Sequence, residues 1–555
     1  MPEAASRSFL HHARLIGGLT LLSRVLGLLR EAAAGHYLGT GLVASAFTLA
    51  FTVPNLFRKL LGEGALSQAF IPLYAQAVRR GATESGAAPE AFAAGSVRLL
   101  VGILLAITLL GEALLIGGMF FFADPDRPDR RLILQFTAVM LPYVLLVCGG
   151  AFLSAILQVH KRFGAPAAAP LVLNLVHVGV VVGGAWFLGL SGKAAGGPGV
   201  EALQTKLAFA LALGVLAAGV LQVAILLPAL RAVGFRLRWN VPSWTPDTRK
   251  MLRLSLPVAV GAAVLQISVL LDKSISYALM EGVDRAGNRV THFDIFGASV
   301  RYPMELGATR RLDLAQLMYQ FPLGVFAIAL ATAIFPSLSA GAADPDRTEF
   351  KRVCRQGVTA TLWEGVPATV GLILVAGPAV RLLFQHGHTT AADAALIAHS
   401  TVWYAAGVWA YSLLQVTNRA YYALHDTATP LIASAANVML NLAVELPLVW
   451  HMGEAGMAVG TMVSFSLQAI VMLWLLDRRV GGIGLGEIGG QLGRIVLATA
   501  VMLGVCLLVR SSPLYPTGDT RTAWAGQLTL VTMTGAATYL LVSRLLGLHV
   551  PLRKR

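Results

Sequence analysis

Residues 65–76 read ALSQAFIPLYAQ, and residues 329–340 read ALATAIFPSLSA. Ala65, Leu66, Ala69 and Pro72 match Ala329, Leu330, Ala333 and Pro336 at an offset of 264. A second pair keeps the same spacing. HKRFGAP (160–166) precedes an apolar run containing Asn174, and HDTATP (425–430) precedes one containing Asn437 and Asn441, at an offset of 264–265. Self-similarity at a fixed offset marks a duplicated architecture. The shift carries the second apolar run onto the eighth, and runs four and five onto ten and eleven. Six runs separate the copies, so both copies point the same way. This is a parallel repeat, with its axis along the membrane normal and a central site between the halves.

The apolar runs themselves lie near 16–37, 42–77, 92–122, 132–159, 167–190, 203–230, 252–280, 310–340, 351–384, 392–424, 428–450, 455–477, 488–510 and 521–546. Each is long enough to cross a bilayer as a helix, which takes roughly 20 residues. The whole chain of 555 residues is 56% hydrophobic and 13% charged, with mean hydropathy +0.69. A soluble chain would carry about 25% charged residues. The expected fold is therefore an all-α polytopic membrane protein of about fourteen helices. It has two pseudo-symmetric six-helix lobes, residues 1–232 and 233–480, around a central cationic cavity. The last two spans, in 481–555, lie outside the repeat. The longest hydrophilic stretch, 281–309, reads as an external insertion in the second lobe.

The net charge of +15 does not indicate nucleic acid, because the basic residues sit singly or in pairs at span ends, with no basic domain and no stacking platform. Inner loops rich in Lys and Arg set the orientation. Arg79/Arg80, Lys161/Arg162, Arg231 to Arg253, Arg347 to Arg355, Arg478/Arg479 and the tail Arg553-Lys554-Arg555 place both termini in the cytoplasm. Cys148, Cys354 and Cys506 are far apart and form neither a disulfide framework nor a metal motif. The N-terminus lacks the apolar core and small-residue cleavage site of a signal peptide, so the first span is expected to stay.

Arg24, Arg30, Arg58 and Lys59 fall inside the first two spans. An ionisable group at bilayer depth costs at least about 2.5–3.5 kcal/mol. Two readings are open. The four could form a buried ion-pair network with Glu31 and Glu63. Alternatively they line an anion site, since guanidinium groups hold phosphate bidentately. Four cations facing two acids favour the anion, with Glu63 in a supporting part. Arg24 and Arg30 are six residues apart, about 120° round the helix, so they can ring one cavity. Asp272-Lys273 in span 7 is a second intramembrane charged pair. It neutralises itself locally, or Asp272 joins Asn437 and Asn441, four apart on one helix face, in a site for a proton or small cation. No catalytic constellation is present.

SRVLGLLRE (23–31), VPNLFRKLLGEGALSQAFIPLYAQ (53–76), ILQVHKRFGAPAAAPLVLNL (156–175), FPLGVFAIALATAIFPSLS (321–339), LFQHG (383–387) and YYALHDTATP (421–430) together resemble the MurJ/MviN family of lipid II flippases, within the superfamily of multidrug and oligosaccharidyl-lipid exporters. The resemblance runs over most of the chain and is most specific at 53–76. It implies two lobes of six helices, with two C-terminal helices forming a groove for a polyprenyl tail. It implies transfer of undecaprenyl-pyrophosphate-linked disaccharide-pentapeptide from the inner to the outer leaflet of the bacterial cytoplasmic membrane, by a transporter rather than an enzyme. The family's cavity arginines map onto Arg24, Arg30 and Arg58, with Lys59 in place of a common second arginine. Ser45 stands where the family often has an acid. Leu317, after Gln316, stands where it has an arginine; Arg310 and Arg311, about two turns earlier, are the residues that could replace it. A monomer working among membrane lipids is expected, without a cofactor. The membrane potential or a coupling cation is the expected energy source. The rivals are an exporter of another lipid-linked oligosaccharide, a multidrug exporter of the same superfamily and a membrane enzyme of envelope synthesis.

Overall fold

A computed structural model describes residues 2–83, 89–121, 128–193, 197, 199–237, 240, 242–284 and 286–548. Side chains are described for these residues except 2–17, 20, 63–66, 68, 81–83, 121, 128, 257, 265 and 325–326. The tail cations Arg553, Lys554 and Arg555 and the Glu63 side chain lie outside the described residues. The chain forms two compact units, Met1–Arg301 and Tyr302–Arg555.

The first unit runs α1 (Pro2–Leu38), α2 (Leu42–Phe57), a π-helical stretch π1 (Arg58–Ala65), α3 (Leu66–Thr83), α4 (Pro89–Phe121), α5 (Pro128–Met140), α6 (Tyr143–Val159), α7 (Gly164–Phe187), α8 (Val200–Ala232) and α9 (Pro246–Ala278). Two antiparallel ribbons follow, β1 (Gly282–Val283) with β2 (Arg289–Val290), and β3 (His292–Ile295) with β4 (Ala298–Arg301). The second unit runs α10 (Ala308–Pro322), a second π-helical stretch π2 (Leu323–Ala327), α11 (Ile328–Ala342), α12 (Thr348–Phe384), α13 (Ala391–Ala406), α14 (Val408–Ala423), α15 (Ala428–Met452), α16 (Glu454–Val480), α17 (Leu485–Ser511) and α18 (Arg521–Leu545).

Ten helices among the described residues are long and apolar enough to cross a membrane. The other expected spans correspond to α1, α2–π1–α3, α10–π2–α11 and α13–α14. Three of these are interrupted: two by a π stretch, one at Gly407 between α13 and α14. The helical architecture carries one addition, since the hydrophilic insertion contains the two β ribbons. Asp284 organises the first ribbon's turn, accepting from the Ala286 and Asn288 N–H groups at 2.8 Å each.

The repeat extends to backbone detail. π1 begins at Arg58 and π2 at Leu323, close to the 264-residue offset. Each follows a proline, Pro54 or Pro322, that withholds an N–H from the helical ladder. Lys161 (φ 58°) and His425 (φ 56°) are both left-handed non-glycine residues, and they are 264 residues apart. The residue after each closes the same turn: Arg162 N–H donates to Leu157 O at 2.8 Å, and Asp426 N–H to Tyr421 O at 3.0 Å.

Local sequence sets several helix starts. Thr245 and Thr248 form a reciprocal capping box ahead of α9, with Pro246 in the first turn, and Thr390 with Asp393 does the same for α13. In the first unit Phe70 packs on Tyr74, Phe92 and Phe152, with ring centroids 4.2–5.7 Å apart. α9 packs on α2, π1 and α3; the lobe boundary drawn from sequence falls before it, after residue 232. In the second unit Leu338, Phe350, Cys354, Tyr421, Met472 and Leu476 join α11, α12, α14 and α16 in one core. The three cysteines are buried and none is in a disulfide.

Candidate functional site

Two cations of the first two spans, Arg30 and Arg58, are held by polar residues. Arg30, on α1, donates from Nε and Nη2 to Glu31 Oε1 (3.0 and 2.5 Å) and from Nη1 to Asn174 Oδ1 on α7 (3.1 Å). Asn174 Nδ2 donates back to Ser23 O at 3.0 Å. A Cβ at Gly27 would meet Asn174 Nδ2 in ordinary van der Waals contact, at 3.9 Å. Thus Ser23, Arg30, Glu31 and Asn174 stitch α1 to α7. His177, one turn beyond Asn174, is buried against Phe51, with ring centroids 5.9 Å apart. It lies within the electrostatic reach of Arg30 and Glu31.

Arg58 opens π1. Its Nε and Nη2 donate to Asn55 Oδ1 at 3.0 and 2.8 Å. The widened turn leaves the Phe57 carbonyl to accept from Cys148 Sγ of α6 at 3.4 Å. Arg58 is half-buried and Lys59 is exposed. Arg24 is half-buried on α1. Chemically, this unit offers guanidinium groups oriented by asparagine and glutamate. Preorganised forks of this kind suit a phosphate oxyanion.

Asn174, His177 and Asn55 were missed as parts of the site from sequence alone. The signal was present. Asn174 and His177 are three residues apart, on one face of an otherwise apolar span. Asn55 stands three before Arg58, within reach on a helix surface.

In the second unit Arg310 and Arg311 are surrounded by acids. Arg311 is buried and donates to Glu454 of α16 (2.9 Å), Asp393 of α13 (3.3 Å) and the Leu306 carbonyl (2.9 Å). Arg310 pairs with Asp313 at 3.2 Å. Arg311 therefore clamps α10, α13 and α16 together. Gln316, beside Leu317, donates to the Tyr404 hydroxyl at 3.1 Å. In the first unit Ser45 is buried and donates to Thr40 O at 3.2 Å.

Asp272 and Lys273 are half-buried near the end of α9, in the first unit. Asn437 and Asn441 are buried on α15, in the second. Asn441 Nδ2 donates to Glu445 Oε2 at 3.0 Å, and Ser464 Oγ of α16 donates to Asn441 Oδ1 at 3.4 Å. Glu445, four residues after Asn441, is the acid that sequence reasoning passed over. Among the described residues no group of three His, Cys, Asp or Glu could hold a metal ion.

The sequence model of the family described as "Lipid II flippase MurJ" matches residues 34–520. A relative from Rhizobium meliloti, described as a probable lipid II flippase MurJ, is 29% identical over 88% of this chain and 84% of its own. One from Burkholderia cenocepacia, described as lipid II flippase MurJ, is 26% identical over 84% of this chain and 83% of its own. Among solved structures, lipid II flippase MurJ in an inward closed conformation aligns with a TM-score of 0.71 at 21% identity, covering 96% of this chain and 98% of that one. An inward-facing multidrug resistance MATE family transporter aligns with a TM-score of 0.58 at 15% identity, covering 82% and 95%. These two likenesses show the fold.

Proposed function

The chain belongs to the lipid II flippase MurJ family, and from that premise we propose how it moves its cargo. It is a multi-pass transporter of the inner membrane that carries lipid II between leaflets, not an enzyme. Arg24, Arg30 and Arg58 hold the pyrophosphate and Lys59 adds field, with Glu63 in a supporting part. The supporting observation is that Arg30 and Arg58 are each braced by a polar neighbour, at 2.5–3.1 Å, within apolar helices. Bracing fixes the donor fork before the anion arrives, which lowers the ordering cost of binding.

In this reading fourteen helices form two six-helix lobes that alternate in access, both termini face the cytoplasm, and α17–α18 hold the polyprenyl tail. The protein works as a monomer. An inside-negative potential assists outward movement of the anion by about 2.3 kcal/mol per charge per 100 mV. Arg311 belongs to the scaffold of the second lobe, while Asn437, Asn441 and Asp272 are the residues that could take a coupling cation.

The test is complementation of a bacterium depleted of its own flippase, beside a leaflet-resolved assay of lipid II. Wild type rescues and delivers lipid II to the outer leaflet, whereas Arg24→Ala and Arg58→Ala do neither at normal abundance. Full rescue by both variants would overturn the site.

A further inference from the structure

Glu364 lies in ATLWEGVPATV (360–370), near the middle of α12. It is nine residues beyond Arg355 and seventeen before Arg381, or about 13 and 25 Å along the helix. It is the only charged residue between them. A lone carboxylate at such depth is costly unless a cation answers it. Among the described residues no cation pairs with it, and its buried Oε2 accepts no hydrogen bond.

The surroundings are apolar on most sides. α11 carries no titratable side chain. On α17 the nearby titratable group is Cys506, in an apolar cluster with Met502 and Tyr539 that Trp363 packs against. Arg494 and Arg510 of α17 and Arg521 and Arg544 of α18 are exposed. From α14, Trp409 and Ser412 lie against the neighbouring Gly365. The other titratable groups there are engaged elsewhere or exposed: Tyr411 packs on Tyr319 and Phe465, Arg419 lies over Phe335, Tyr421 donates to the Met472 carbonyl, and Tyr422 is exposed. On α13 His399 is exposed beside Trp403, and Tyr404 lies against Tyr319. Tyr539 of α18, which packs on the adjacent Trp363, has its phenol within electrostatic reach of the Glu364 carboxyl.

That phenol has a second task. Pro367 has no N–H to give the Trp363 carbonyl four residues earlier, and an unsatisfied carbonyl in lipid costs several kcal/mol. The Tyr539 hydroxyl donates to it at 2.7 Å, and the two rings pack with centroids 5.7 Å apart. The hydroxyl is thus bonded to the Trp363 carbonyl, with Ser543 as a second hydrogen-bond neighbour, and lies within electrostatic reach of the Glu364 carboxyl. A carboxylate is the stronger acceptor; a protonated carboxyl is not.

We propose that Glu364 is a proton-binding site inside the membrane, and that its charge state sets how firmly α18 is held on the Pro367 kink of α12. With the carboxyl protonated, the apolar cluster closes and Tyr539 stays on the Trp363 carbonyl. When the proton leaves to water, the carboxylate draws the Tyr539 hydroxyl and admits water along the α12–α18 seam. The consequence for transport rests on the flippase reading above; the site itself does not.

The experiment uses the full chain in lipid nanodiscs and infrared difference spectra across a pH titration. The expected result is a carboxyl C=O band that titrates in wild type, is lost in Glu364→Gln, and returns shifted in Glu364→Asp. In Tyr539→Phe its midpoint moves to higher pH, because the carboxylate loses its donor. A titrating band undiminished in Glu364→Gln, a change that follows sodium rather than pH, or an unmoved midpoint in Tyr539→Phe overturns the proposal. Lipid II transfer is measured alongside. Glu364→Gln is expected to lose the pH dependence of its rate and Glu364→Asp to keep it. Loss of the band without any lipid II transfer by wild type leaves the proton site standing and removes the flippase reading instead.

Discussion

Gly456 of α16 lies so close to α15 that a Cβ there would stand 2.6 Å from the Leu448 carbonyl oxygen. Gly460, one turn on, faces the Glu445 backbone in the same way, with its would-be Cβ 3.0 Å from the Cα. The two form a small-xxx-small face, which lets helix backbones touch where lipid supplies no hydrophobic drive. Neither contact can yield by rotating a side chain, because the opposing atoms are main chain or, at Glu445, the Cβ fixed to it. Gly456→Ala is therefore expected to lower stability by about 1–3 kcal/mol, the usual cost of overpacking. A thermal unfolding midpoint equal to wild type in detergent would contradict the close approach.

The Tyr539 hydroxyl and the Trp363 carbonyl invite a double-mutant cycle. Tyr539→Phe strands the carbonyl and should cost about 1–3 kcal/mol. Pro367→Ala returns a helical N–H to that carbonyl, so Tyr539→Phe should cost distinctly less in the Pro367→Ala background. Additive losses would mean that the hydroxyl does not serve the kink.

Arg24 and Arg311 should fail in different ways. Arg311→Ala leaves Glu454 and Asp393 with a buried charge unanswered, which costs about 3–5 kcal/mol; its membrane abundance and unfolding midpoint should both fall. Arg24→Ala should keep both and lose lipid II transfer alone. Abundance measured by blotting beside the transfer assay separates the two, and the reverse pattern would exchange their roles.

Asp426 sits at the turn before α15 and gives a pH dependence. Burial opposes its ionisation, but the Thr429 N–H (3.0 Å) and hydroxyl (2.7 Å) and Arg479 (2.6 Å) outweigh that and hold its carboxyl below the usual range. As pH falls, the unfolded chain binds this proton first. The stabilisation is complete above the ordinary aspartate value of about 4 and is lost as pH falls through the lower folded value. Asp426→Asn should cost about 1–2 kcal/mol at neutral pH and flatten the decline of the unfolding midpoint in acid. A variant whose acid decline matches wild type would assign that decline to other groups.

Much of this was legible because the chain says it twice. The matched ALSQAFIPLYAQ and ALATAIFPSLSA stretches, and the matched histidine-led turns, carry through to the two π stretches and to the left-handed Lys161 and His425. The β ribbons at 282–301 were not read, because four short strands leave little more than a polar stretch in composition. Nor was the break at Gly407 read, since membrane spans tolerate glycine without showing where a helix stops. In the site the cations stood out against apolar sequence, while their braces did not. Asn55 and Asn174 are uncharged, and their part depends on which helix face meets which. Glu364 was passed over for the opposite reason: one acid in a long apolar run barely alters its hydropathy.

The π stretches carry a further consequence, for how such a chain tolerates changes in length. An α-helix that loses one residue turns everything beyond it by about 100°, which would swing a packed face of α4 or α12 into lipid. A stretch bonded i→i+5 already holds a surplus residue per turn. A single deletion within 58–65 or 323–327 can be absorbed by tightening to i→i+4, keeping the helices on either side in register. Indels within the otherwise rigid spans of related chains should therefore gather at these two places, and pairs of them should arise 264 residues apart.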